Sequence, residues 1–472
     1  MGASNKTHHL VRFSSGEIWC FSFDYNRGII IKRLGRDGIW KPLYDLIPDA
    51  HEDFFVNIDD KDRLHLICCS KKGELLYMLY TGTEWSKQVL SIFEPALYTI
   101  RYPMVIPSGS KIHILFAIGK AFNTGYWSLQ HYYREKSEWH ASEITKITSG
   151  YRLSPFYTDL SEKYLHLTYR SLAGDKYQIF YCRYHIEHNI WSSPENVTYD
   201  SNDCNMPSIL IRDDILHLAW TSLHRNDLIV KYKNRPVRNE GKTGWSPEIQ
   251  LNSQGTNAAL PRLIWAGGKV WCIWHQNDIL YASSSEDQGK NWSAPAELSD
   301  VTGIGFQYIH YSSNYPKDKE CIQLQWTYGS AKDGLLLPVA GEDMDLPGYN
   351  ASAAIREIKD QGFKEKTPYR SIHSALDRET APVMAAPHRK LENILLDEFD
   401  RQEELYHSLI SKMDESSELG RRIIDENKQI MVCIRENTEM LQSLKEDMEQ
   451  IKQYAKQLKS EGLLRRFFYR GS

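Results

Sequence analysis

One tryptophan returns about every fifty residues along the first two thirds of this chain. Trp40, Trp85, Trp139, Trp191, Trp245 and Trp292 stand 45, 54, 52, 54 and 47 positions apart. Ahead of each lies the same pair of apolar runs. The first is Glu17–Phe21, Arg63–Ile67, Lys111–Leu115, Tyr164–Thr168, Ile215–Ala219 and Lys269–Ile273. The second is rich in tyrosine and β-branched residues, as in Leu75–Tyr80, Tyr177–Cys182 and Ile279–Ala282. A further run, often with a proline, precedes the pair: Tyr102–Ile106, Leu153–Tyr157, Met206–Leu210, Leu260–Ile264. After the tryptophan come a polar turn and a last short strand. Four short strands per unit, divided by Gly, Asp, Asn and Ser turns, predict a propeller blade. A blade is a small sheet with two apolar faces, so copies must stack around an axis until the ring closes.

Six units are complete. A seventh begins at Phe306–Tyr311 and Cys321–Trp326, with a candidate third strand at Leu335–Leu337 and no fourth. The expected fold is therefore mainly β, a β-propeller over residues 1–340 with seven blades, the last incomplete, or six with a flanking hairpin. Aromatic residues at 12% and charged residues at 25% fit neither a disordered chain nor a membrane bundle. No apolar run reaches the roughly 18 residues of a spanning helix. Lys and Arg number 57 against 61 Asp and Glu, a net −4, which speaks against nucleic acid as a partner.

The N-terminus lacks the basic segment and apolar core that export requires, and Lys6 occupies the place where myristoylation wants Ser or Thr. Eight cysteines (20, 68, 69, 182, 204, 272, 321 and 433) have neither zinc-site spacing nor the density of a secreted scaffold. They are expected to be small buried hydrophobes in a reducing compartment, and the protein is expected to be cytoplasmic. His65, His113, His166 and His217 recur at one place in four successive units, where the other units carry Trp19, Trp271 and Gln323. A ring of metal ligands would not exchange with tryptophan. A flat ring with one polar tip, packed between sheets, would. No metal is expected there. Nor does a Gly-rich phosphate loop, a His-Glu-x-x-His or a Gly-x-Ser-x-Gly occur, and no cofactor is expected.

Ser285, Asp287, Gly289 and Trp292 match Ser-x-Asp-x-Gly-x-x-Trp at every defined position. The Asp and Ser side chains can bond nearby backbone, Gly permits φ > 0, and Trp fills the space between strands. This segment resembles the Asp box, or BNR repeat, of sialidase-like propellers, in which the box is a folding element on the outer rim. Gly38 with Trp40, and Gly244 with Trp245, are at best remnants of further copies. The resemblance implies three arginines that grip a carboxylate, a Tyr nucleophile paired with Glu, and an Asp acid/base. The nearest segments here are Arg101-Tyr102-Pro103 and Tyr151-Arg152 ahead of Pro155, with Arg262 beside the start of another first strand. None matches the family's entry signature in order and spacing. Arg101, Tyr102, Tyr151, Arg152 and Arg262 are accordingly candidate binding residues, with no catalytic residue assigned.

From 341 to 388 prolines and glycines punctuate a polar stretch that reads as a linker. From 389 to 472 the period turns helical. Ile434, Leu441 and Met448 at a, with Ile430, Leu444, Ile451 and Leu458 at d, make an apolar seam; Asn437 is the one polar d residue. So narrow a stripe needs a partner, and further copies of itself are the simplest. A coiled coil that oligomerises the chain through 389–461 is expected. The tail, residues 463–470, mixes Arg with Phe, Tyr and Leu and suits weak contact with an anionic membrane face. The expected function is non-catalytic: a propeller displayed in several copies for multivalent recognition of a protein partner. A glycan-binding, lectin-like propeller is the alternative, and a sialidase-like glycoside hydrolase the second alternative.

Overall fold

The structure, a computed structural model, describes residues 8–330 apart from 122, 149–153, 225–226, 238–243, 254, 277–278 and 299–306. The linker, the coiled-coil seam, the basic tail, the run 335–337, Tyr151 and Arg152 all lie outside the described residues.

Six sheets are present, each built on four antiparallel strands in chain order. The first strands are His8–Arg12, Ala50–Ile58, Tyr98–Ser108, Phe156–Leu160, Cys204–Arg212 and Ala258–Ala266. Every buried cluster is shared between neighbouring sheets. One joins sheets 1 and 2, one sheets 2, 3 and 4, one sheets 4 and 5, one sheets 5 and 6, and one sheets 6 and 1. The sequence of shared clusters returns to its start, so the sheets form a closed ring. A side chain such as Leu66, Ile114 or Leu218 contributes roughly 1.5–3 kcal/mol only when a second sheet covers it. That is why no blade stands alone.

Among the described residues the count of blades is six, the second of the two counts expected, and not seven. The run at 307–313 does not open a sheet of its own. It pairs in parallel with His8–Arg12, and Trp326–Gly329 then pairs antiparallel with it, extending sheet 1 inward. Between them lie a short helix, Pro316–Cys321, and the pair Ile322–Gln323, which hydrogen-bonds the first strand of sheet 6. One segment thus ties the last blade to the first. A strand of alternating aromatic and β-branched residues has the same sequence signature whether it founds a sheet or joins one.

The repeated tryptophans sit at or just ahead of the fourth strands and wedge between blades rather than within one. Trp139 meets Tyr77 of the preceding blade at 5.3 Å between ring centroids, and Trp191 meets His131 at 5.4 Å. Trp245 meets Tyr181 at 5.9 Å and Trp292 meets Tyr232 at 4.8 Å. Trp85 lies against Phe21, and Trp40 packs on the cluster between sheets 6 and 1. The histidines anchor the other side of these seams. His65, His166 and His217 each place Nδ1 2.6–2.7 Å from the hydroxyl of Tyr77, Tyr181 or Tyr232. His113 instead bonds His131, at 3.0 Å. Where the position holds tryptophan, the indole N–H donates elsewhere: Trp19 to Glu17, Trp271 to the carbonyl of Ala266. The histidines are core groups that orient the tyrosines on which the tryptophans pack. Cys20, Cys68, Cys69, Cys182, Cys204 and Cys272 are buried and unpaired, and Cys321 is half-buried and unpaired.

Candidate functional site

The inner strands carry a repeated irregularity. In sheets 3, 5 and 6 a residue just before proline has positive φ: Tyr102 at 55°, Met206 at 55° and Leu260 at 59°. At each of these places the ladder to the second strand slips. Proline offers no N–H to the ladder, so the strand bulges around it and re-aims the residues that follow. In sheets 5 and 6 those residues are Ser208 and Arg262, and both line one cavity at the axis with Tyr157, Asp159, Gln323, Gln325 and Trp326.

Trp326 plugs that axis. Its ring meets His9 and His310 of sheet 1, Phe55 of sheet 2 and Tyr157 of sheet 4, at 5.3–6.3 Å. Gln323 and Gln325 fill the gap between sheets 4 and 5. Both donate to the carboxylate of Asp159, which also accepts the backbone N–H groups of Leu160 and Ile211. Burial raises the Asp159 carboxyl to about 7 against the pull of those donors. What remains of the cavity is about 20 Å³, room for one water-sized guest.

The structure does not gather the candidate arginines. Arg262 is 2% exposed; it donates to the hydroxyl of Tyr157 at 2.6 Å and to the carbonyls of Pro207 and Pro261. Its guanidinium lies over the rings of Tyr157 and Tyr308, 4.3 and 4.6 Å from their centroids. Arg101 is half-buried elsewhere. It pairs with Asp53 and, at 3.7 Å, with Glu52 of sheet 2, and does not line the axial cavity. Burial raises the Asp53 carboxyl, and Arg101 opposes the rise. Tyr102 takes the bulge position, and its N–H donates to Asp53. Trp326, Tyr157 and Asp159 are the residues that sequence reasoning missed. The residue-proline pair recurring at one place in three units was the available signal for a bulge at the axis.

Ser285, Asp287, Gly289 and Trp292 do form a single turn. The Ser285 hydroxyl donates to Asp287 at 2.9 Å and accepts the Gly289 N–H at 2.8 Å; Asp287 also accepts the N–H of Asn291. These donors, Asn291 first, lower the Asp287 carboxyl to about 2. Gly289 has φ +83°, and a Cβ there would lie 1.8 Å from the hydroxyl of Tyr232. The turn is a docking element for the preceding blade. Beside it an open groove of about 410 Å³ runs along Gln250, Asn252, Lys290, Asn291 and Trp292.

Exposed large hydrophobes gather on one end of the ring. Strand direction puts Tyr25, Ile92, Leu97, Tyr98, Tyr126, Leu172, Tyr199 and Leu223 at the end that holds the turns between second and third strands and the links between blades. Among the described residues, Ile39 and Ile190 are the exposed large hydrophobes at the opposite end. Trp326–Gly329 runs toward the apolar end, so the chain leaves its described part at the centre of that face.

No family model matches the chain, and no curated protein matches it. Among solved structures it is similar to a six-bladed fungal lectin of Aleuria aurantia with a fucose recognition mode. The identity is 12%, covering 64% of this chain and 98% of that one, with TM-score 0.36. It is also similar to the α-L-arabinanase of Penicillium chrysogenum (10% identity, 60% and 94% covered, TM-score 0.39). A third is the GH93 α-L-arabinofuranosidase of Fusarium graminearum (11%, 60% and 93%, TM-score 0.40). At these scores the likeness carries no argument about ligand or activity, and the propeller rests on the strand pairing itself.

Proposed function

We propose that this chain is a non-catalytic recognition protein, a six-bladed propeller that binds a protein partner and is multiplied by self-association of its helical segment. The filled axis carries this reading. Trp326, Gln323 and Gln325 occupy the channel in which a ring of sheets would otherwise offer a ligand-sized site, and the space left admits only a guest the size of a water. Arg101 is paired with Asp53 and Arg262 is bonded to Tyr157, so the two do not converge on one ligand carboxylate. Apolar side chains gathered at one end of the ring fit a protein partner. The apolar seam at 430–458 supplies the multiplicity.

The test uses the purified full chain. Light scattering is expected to give a whole multiple of the chain mass, and fluorogenic sialosides and arabinofuranosides are expected to remain intact. Turnover that disappears in Arg101→Ala would overturn the reading, as would a monomer at micromolar concentration.

One observation favours glycan recognition as a second reading. The groove beside Trp292 offers an indole, amide side chains and Lys290, a combination that suits stacking and hydrogen bonding to a sugar. Selective signals on a glycan array, lost in Trp292→Ala but not in Tyr199→Ala, would promote it over a protein partner.

A further inference from the structure

The axial cavity is walled by hydrogen-bond donors that lack acceptors. The Nε of Arg262 and the Nε1 of Trp326 are buried and have no partner. The hydroxyl of Tyr157 accepts from Arg262, and that of Ser208 accepts the N–H of Leu263, which leaves each hydroxyl hydrogen free to donate. All four residues line the same space of about 20 Å³. Its occupant must therefore be an acceptor, and a small one.

Charge selects among small acceptors. Arg262 is a buried cation with no ion pair among the described residues, and an uncompensated buried charge is costly. Asp159 shares the cavity wall, but its oxygens are taken by two backbone N–H groups and two glutamine amides, and it makes no ion pair with Arg262. The hydroxyls of Tyr308 and Tyr328 are pushed up by burial and stay neutral, so they supply no counter-charge. The rings of Tyr157 and Tyr308 offset part of the cost through their faces, without neutralising the charge. Water would accept the donors and leave the cation without an ion pair. A sugar, phosphate or carboxylate is too large.

We infer that the axial cavity is a binding site for one monatomic anion, chloride or another halide, held by Arg262 and Trp326 with Tyr157 and Ser208 completing the shell. The ion lies between the bulged inner strands of sheets 5 and 6, sheet 4 and the plugging segment, so it locks the plug to the ring. This inference is independent of what the outer surface recognises.

Thermal unfolding of the full chain at fixed ionic strength, with chloride exchanged for gluconate, reads the site. Chloride is expected to raise Tm in a saturable way, by about 2–4 °C at tenfold excess over Kd. The rise should vanish in Trp326→Phe, which keeps an aromatic plug and removes the N–H. Equal Tm values in the two salts would overturn the inference. Should Trp326→Phe fail to fold, crystals of the unaltered chain grown in bromide decide the matter. An anomalous peak within hydrogen-bond distance of Arg262 Nε and Trp326 Nε1 supports the site, and water alone at that position sinks it.

Discussion

The seams between consecutive blades and the seam that closes the ring meet one demand with different chemistry. Between consecutive blades the recurring contact is neutral and serial, a tryptophan on a tyrosine that is oriented by a histidine, as with Trp245, Tyr181 and His166, with partly exposed ion pairs such as Arg101–Asp53 and Arg235–Glu195 beside it. At the closure the contacts are charged and distant. Arg12 donates to Asp318 at 3.0 Å, across 306 positions, with both side chains almost fully buried. The hydroxyls of Tyr311 and Ser313 donate to the same carboxylate, and Asn314 reaches Asp62 and the carbonyl of Asp59. Consecutive blades are already kept near each other by short connections, so the recurring wedge does not have to select its partner. The two ends of the ring have no such tether, and directional groups specify which strand joins which.

The largest expected effect follows from that contrast. Asp318→Ala removes the carboxylate to which Arg12, Tyr311 and Ser313 all donate, leaving a buried cation and two hydroxyls without their acceptor. A loss of about 3–5 kcal/mol in denaturant unfolding is expected. A loss no greater than that of a single seam variant would erase the distinction between closure and wedge.

Acid should act on both regions, through histidines that burial holds neutral. His113 and His217 are lowered to about 4, and His166 and His310 to about 3; burial is the leading cause for all four. His9, beside His310, is lowered as well. The unfolded chain takes up these protons near pH 6.5 and the folded chain does so only near 4 or 3. Their stabilisation is therefore complete above pH 6.5 and is lost as pH falls from there toward 3. Asp159 works in the opposite sense, since its raised carboxyl favours the folded state as pH falls below 7. Asp53, also raised by burial, acts with it, and these two carboxyls are outweighed by five imidazoles. Unfolding midpoints that stay flat between pH 6.5 and 4 would contradict this account.

How far the sequence disclosed these regions follows the same division. The wedges were legible because they repeat: Trp139, Trp191, Trp245 and Trp292 mark a period, and His65, His113, His166 and His217 mark a strand. The turn at Ser285, Asp287, Gly289 and Trp292 was legible from the spacing of a single local motif. That the tryptophans pack across blades was not, because a period in sequence carries no information about which sheet faces which. The closure was illegible. The run at 307–313 has ordinary strand character, and its parallel pairing with His8–Arg12 depends on residues about three hundred positions away. The axial cavity shares that fate: Tyr157, Arg262 and Trp326 meet only after the ring has closed.

Two glycines sharpen the description of the wedge. Gly289 and Gly174 both have positive φ, 83° and 70°, so alanine at either is strained by roughly 1 kcal/mol. At Gly174 nothing lies within 4 Å of an added Cβ, whereas at Gly289 the added atom would meet the Tyr232 hydroxyl. Gly289→Ala is expected to cost about 1–3 kcal/mol beyond Gly174→Ala, because the turn must back away from the preceding blade. Equal losses would mean that the turn does not dock there.

The smallest effect concerns the hydrogen bond beneath each wedge. Tyr181→Phe keeps the ring against Trp245 and removes the hydroxyl from His166 Nδ1 at 2.7 Å. Stranding that buried nitrogen is expected to cost about 1–2 kcal/mol. In sheets 1 and 6 the equivalent position is Trp19 or Trp271, and the third-strand residues facing it diagonally are Ile31 and Ala282, which offer no hydroxyl. The bond is therefore one of two ways to fill the same place, and its energy should be a coupling between two residues. In a double-mutant cycle, His166→Phe with Tyr181→Phe should cost at least about 0.5 kcal/mol less than the two single losses summed. Additive losses would show that the histidine and the tyrosine are buried side by side without depending on each other.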